Sequence, residues 1–61
     1  MYSHYAIMYR DLTRKDRIKV EATYFYAKNE VEALCHLSKE LQDQGRAYCQ
    51  VKVLSVVKIE D

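Results

Sequence analysis

From residue 17 to residue 26 (Arg-Ile-Lys-Val-Glu-Ala-Thr-Tyr-Phe-Tyr) polar and apolar side chains alternate almost without error, the period of a strand with one buried face. Residues 3–10 (Ser-His-Tyr-Ala-Ile-Met-Tyr-Arg) are aromatic and β-favouring and predict a preceding strand. Between them, Leu12-Thr13-Arg14-Lys15, flanked by Asp11 and Asp16, has the polarity and length of a hairpin loop. Pairing Tyr9 with Ile18, Ile7 with Val20 and Tyr5 with Ala22 puts the apolar sets on one face, whereas a slip of one residue sets them against Lys19 and Glu21. In this register Tyr5, Tyr9 and Tyr24 belong to the core. The opposite face carries His4, Ala6, Met8, Lys19, Glu21, Thr23 and Phe25.

The period then changes. Val31, Leu34, Cys35, Ser38 and Leu41 follow i, i+3, i+4 spacing, with Leu37 at the margin, and predict a helix over 30–44. Asn29 supplies an N-cap and Glu32, three residues on, the second half of a capping box. Gly45, the only glycine, stands where a helix needs a left-handed residue after its end. Residues 46–59 return to alternation as a long third strand, Ala47, Cys49, Val51, Val53, Val57 and Ile59 on one face. Leu54 and Val56 interrupt its polar face: a β-bulge near Ser55 would re-phase the strand and bury them, and without one they lie beside Phe25, Met8 and Tyr48 on the open face.

The order strand–strand–helix–strand defines an α+β domain: a ββαβ chain whose three-stranded antiparallel sheet, order 2-1-3, has one helix packed on one face. A single helix covers one face of a sheet, so the other needs a different cover. Met8, Phe25, Tyr48, Leu54 and Val56 are the side chains that the fold leaves on that open face, and they form the candidate partner-binding surface. Burying Met8, Phe25, Leu54 and Val56 yields roughly 6–12 kcal/mol gross, against an association cost of about 4–15 kcal/mol. Two copies about a twofold axis double the gain, so a homodimer through the open face or an edge strand is expected.

Length and composition narrow the picture. Sixty-one residues make one domain, 1–61, near the lower size limit for unaided folding. With one glycine and no proline there is no linker or low-complexity run. The apolar runs are too short to span a membrane, the N-terminus lacks the features of a signal peptide, and a cytoplasmic protein is expected. Net charge is +1, far from the strongly basic balance of a dedicated nucleic-acid binder. The charge is nevertheless segregated: residues 10–19 carry five basic side chains against two acidic ones, and the helix span 28–44 four acidic against two basic. Arg14, Lys15, Arg17 and Lys19 at the hairpin tip, with Phe25 and Tyr48 as stacking platforms, would suit single-stranded nucleic acid. The apolar composition of the open face favours a protein partner over that alternative.

No chemistry beyond binding is expected. His4, Cys35-His36 and Cys49 lack the paired close spacings of a structural zinc site, so no metal and no cofactor is expected. His36 is placed on the exposed helix face between Glu32 and Glu40. Cys35 and Cys49, at matching distances on either side of Gly45, can face one another across the helix–sheet interface, and two reduced, core-filling thiols are favoured over a disulfide there. Paired catalytic carboxylates, a nucleophile–histidine arrangement and a glycine-rich phosphate loop are all missing from the pattern, which argues for a protein that is not an enzyme.

The segments Tyr5-x-Ile7-x-Tyr9, Val20-x-Ala22, Asn29-Glu30-Val31-Glu32-Ala33-Leu34 and Val53-Leu54-Ser55-Val56-Val57-Lys58-Ile59-Glu60 resemble those of many small phage and bacterial ββαβ proteins. Some phage proteins of this layout inhibit host defence complexes, certain anti-CRISPR proteins among them. The resemblance therefore implies a stoichiometric inhibitor that occludes a host protein.

Overall fold

The computed structural model describes residues 1–15 and 18–59. Its elements are β1 (Ser3–Asp11), β2 (Glu21–Ala27), α1 (Glu30–Asp43), a 3₁₀ turn (Tyr48–Gln50) and β3 (Val51–Ile59). The three strands form one antiparallel sheet in the order β2-β1-β3, with α1 packed over β2 and β1. This is the expected α+β architecture. No helix is long and apolar enough to cross a membrane among the described residues.

Both helix ends are set by the residues expected. Asn29 is extended, and its Oδ1 accepts from the Glu32 amide at 2.9 Å. The Glu32 carboxylate reaches back one residue further than a standard capping box, accepting from the Lys28 amide at 3.4 Å. At the other end the Arg46 amide donates to the Leu41 carbonyl at 2.8 Å and the Gly45 amide to Gln42 at 3.0 Å, a Schellman closure. Gly45 makes that closure with φ +74, and a Cβ there would meet no atom within 4 Å. Gly45→Ala should therefore cost only the backbone strain, about 1 kcal/mol, and Asn29→Ala about 1 kcal/mol through the lost cap. Chemical denaturation of the two variants checks both values.

The helix is rotated relative to the expected stripe. Ala33, Leu37 and Leu41 are buried (0, 1 and 1% exposed), Leu34 is half-buried, and Val31 and Cys35 face solvent. The spacing of four carries Ala33, Leu37 and Leu41 along one side of the cylinder, whereas Val31 and Cys35 lie on its far flank. Counting apolar residues favoured the second set. Packing favours the first because small Ala33 lies in the core with fully buried Ala27, where β2 turns into the helix through only Lys28 and Asn29.

The hairpin register also differs, by three residues. Tyr9 lies opposite Glu21, Ile7 opposite Thr23 and Tyr5 opposite Phe25. An odd shift exchanges the two faces of β2. Phe25 therefore lies under the helix, its ring 5.9 Å from that of His36, and Tyr24 turns to the open face. Ile18 and Val20 fall outside the sheet and stay exposed. The outward set contains tyrosines, which tolerate water, and the inward Glu21 has a buried-side partner, as described below.

Strand β3 starts at Val51 rather than 46, with Tyr48 and Cys49 in the 3₁₀ turn. Of the two alternatives for the broken pattern, a bulge is present: the register shifts between Met8 and Tyr9, leaving Leu54 as the extra residue between Ser55 (opposite Met8) and Val53 (opposite Tyr9). It turns Val56 inward against the core and leaves Leu54 outside, so only one of the two interrupting residues is buried. Cys35 and Cys49 are both free and exposed, on the outer helix flank and in the turn, not paired across the interface.

Candidate functional site

Strand alternation applied to this register defines the open face: His4, Ala6, Met8 and Arg10 on β1; Ala22, Tyr24 and Tyr26 on β2; Lys52, Leu54, Ser55, Val57 and Ile59 on β3. Five of these are large exposed side chains, Met8, Tyr24, Tyr26, Leu54 and Val57, with Tyr24 and Tyr26 at 57% and 66% exposure. The His4 ring stacks on that of Tyr26, with centroids 4.5 Å apart, and tilts against Tyr24 at 5.7 Å. Beside this cluster Lys28 sits over the Tyr2 ring at 5.8 Å. Ala6 is small enough to be buried beneath its neighbours even though it points outward.

The expected surface is thus kept in part and corrected in part. Met8 and Leu54 lie on the open face. Phe25 and Val56 belong to the helix-covered face, for the register and bulge reasons given above, and Tyr48 is exposed in the turn, off the sheet. Tyr24, Tyr26 and Val57 take their places. That Tyr24 and Tyr26 share a face is legible in the alternation, since it holds in any register. Which face that is depends on the three-residue shift.

The face contains no carboxylate among the described residues. Glu21, expected there, points inward to Arg46. That arginine is the centre of an ion cluster linking the hairpin to the segment after the helix. Its Nη2 lies 2.8 Å from Glu21 Oε2, its Nε donates to Asp11 Oδ2 at 2.9 Å, and its Nη1 donates to Gln44 Oε1 at 2.9 Å. Arg46 also stands over the Tyr9 ring at 5.7 Å. Asp11 is buried. The hydroxyl and the amide of Thr13 donate to its Oδ1 at 2.6 and 2.9 Å. Those two bonds, with Arg46 on the other oxygen, hold its pKa down to about 2. The cluster is structural, and nothing in the local sequence near residue 11 announces a partner 35 residues away.

The hairpin tip is less free than its sequence suggests. Arg14 is drawn back to Asp11 (3.7 Å) and Glu21 (3.9 Å). Lys15 and Lys19 are exposed, and Arg17 lies outside the described residues. His36, expected between Glu32 and Glu40, lies 3.7 Å from Glu32. Among the described residues there is no pocket and no group of three or more His, Cys, Asp or Glu side chains placed to hold a metal ion. No family model, no curated protein and no solved structure matches the chain.

Proposed function

We propose that the chain is a non-catalytic protein-interaction module that acts by laying its open sheet face on a partner's surface. The observation that carries this reading is the group Met8, Tyr24, Tyr26, Leu54 and Val57, five exposed large hydrophobic side chains on one face of the three-stranded sheet. Aromatic residues, methionine and arginine are enriched in protein interfaces and acidic residues are depleted; Tyr24, Tyr26, Met8 and Arg10 follow that bias and no acid lies on the face among the described residues, while Ala6, Ala22, Ser55 and Lys52 run against it. A module of this kind works by occupancy, and the resemblance to small phage proteins makes occlusion of a host complex the role to test first. Capture experiments should compare the wild type with Tyr24→Ser/Tyr26→Ser and with a helix-surface control, Gln42→Ala. Stoichiometric partner binding lost only in the tyrosine variant supports the reading; equal binding by all three refutes it.

One observation favours a second reading, a single-strand nucleic-acid binder. The open face combines rings at His4, Tyr24 and Tyr26 with cations at Arg10 and Lys52 and lacks acids among the described residues. In that case oligonucleotide affinity falls steeply with salt and drops on Tyr26→Ser, with Arg14, Lys15 and Lys19 adding to the field. No binding at low salt ends it.

A further inference from the structure

We propose that the surface covered by the open face is the same face of a second copy, related by a twofold axis that lies between the sheets and runs across the strands. This rests on reading the face as a protein-docking surface and adds to it the partner and the orientation. The argument begins with how charge and rings are distributed along β1. Arg10 and Lys52 are paired at one end of the face, whereas His4, Tyr24 and Tyr26 form the ring cluster at the other. Six residues of strand separate Arg10 from His4, about 20 Å. Arg10 is only partly buried and, among the described residues, makes no ion pair and no side-chain hydrogen bond. A partly exposed cation without a partner can take a π face.

Two sheets packed face to face can be related by a twofold axis along the strands or across them. The first sets Arg10 against Arg10 of the other copy and rings against rings. The second sets each Arg10 over the His4–Tyr26 stack of the other copy, twice per dimer. Ala6, Met8, Leu54 and Val57 lie between the two ends and meet across the axis. Small Ala6 and Ala22 let the sheets approach, and Met8 adapts to the gap. A foreign partner would have to bring acids or rings to satisfy Arg10; a second copy already carries the rings. Strands of this length and number give a face of about 25 by 14 Å, roughly 350 Å² per copy, smaller than the standard specific interface, so a weak, sub-millimolar dimer is expected.

Sedimentation equilibrium from low micromolar to millimolar protein tests the association. The wild type should dimerise, Arg10→Gln should weaken the dimer by about 5–10-fold, and Val57→Asp should be monomeric with an unchanged circular dichroism spectrum. Orientation is tested in a Cys35→Ser/Cys49→Ser background. Arg10→Cys mixed with His4→Cys should be joined as a heterodimer by a short bismaleimide that spans the roughly 10 Å between facing sheets, and Arg10→Cys alone should not. Cross-linking of Arg10→Cys with itself overturns the axis, and Val57→Asp dimerising like the wild type overturns the surface. A wild type that stays monomeric at millimolar concentration overturns self-association. If capture still depends on Tyr24 and Tyr26 in that case, or if the face takes an acidic protein or an oligonucleotide instead, the second copy is excluded and the docking surface alone is judged by the captured species. Monomer together with face-independent capture removes both readings.

Discussion

Leu37→Ala should unfold a large fraction of the protein at room temperature, while Cys35→Ala, two positions earlier, should change almost nothing. Leu37 is 1% exposed in a core whose fully buried larger side chains are Ile7, Leu37 and Leu41. Truncating such a leucine costs about 3 kcal/mol through lost transfer energy and the cavity left behind. A single-core domain of this size has roughly 3–5 kcal/mol to lose. Cys35 faces solvent, and an exposed substitution of that kind stays within about 0.5 kcal/mol. The contrast, read by urea denaturation, discriminates the observed helix rotation from the one that apolar counting predicts, in which Cys35 would be buried and Leu37 marginal. Equal costs at the two positions would contradict the rotation.

Arg46→Leu should lower the melting temperature by about 5–10 °C, although the residue is distant in sequence from both carboxylates it serves. Among the described residues, its removal leaves Asp11 with Thr13 and the half-exposed Arg14, and leaves Glu21 pointing inward without its 2.8 Å partner. The same cluster sets an acid limit. The Asp11 carboxyl sits at about 2 in the folded chain against 3.8 ordinarily, so the folded state favours its ionised form. That stabilisation is complete above about pH 4 and is lost as pH falls from about 4 towards 2. Thermal melts across this window should show a falling midpoint in the wild type. In Asp11→Asn, which has a lower midpoint at neutral pH, the fall should be shallower. An unchanged slope in Asp11→Asn would place the acid sensitivity elsewhere.

Much of the architecture is legible in the chain. Asn29 and Gly45 bracket one helix, each by a local backbone requirement, and one helix between the second and third strands leads to the 2-1-3 sheet. Tyr5, Ile7 and Tyr9 reach the core as their alternation indicates. The register of β2 is less accessible, because residues 17–26 alternate whichever face is inward and a tyrosine is acceptable on either side. The choice depends on long-range facts: the two-residue link from Ala27 to the helix, and an arginine beyond the helix that makes Glu21 acceptable on the inner side. The bulge at Leu54 can be anticipated from the broken pattern, but whether it buries Val56 alone or Leu54 as well depends on its position against Met8 and Tyr9. The make-up of the candidate surface depends on the same register, which is why Phe25 yields to Tyr24 and Tyr26 while Met8 and Leu54 remain.

The consequence for function is a face with less apolar bulk than the sequence pattern implies and more aromatic and cationic character. It has no carboxylate among the described residues, a ring cluster at one end and Arg10 with Lys52 at the other. Under the proposed reading such a surface fits binding by coverage, and its polarity along the strands would orient the partner.

Oxidative footprinting of the free and the partner-bound protein tests the docking surface most directly. Met8, Tyr24 and Tyr26 should be modified readily in the free monomer and protected on binding, with Cys35 and Tyr48 unchanged. Protection at Cys35 and His36 on the helix, with Met8 and Tyr26 as reactive as before, would contradict the assignment of the open sheet face.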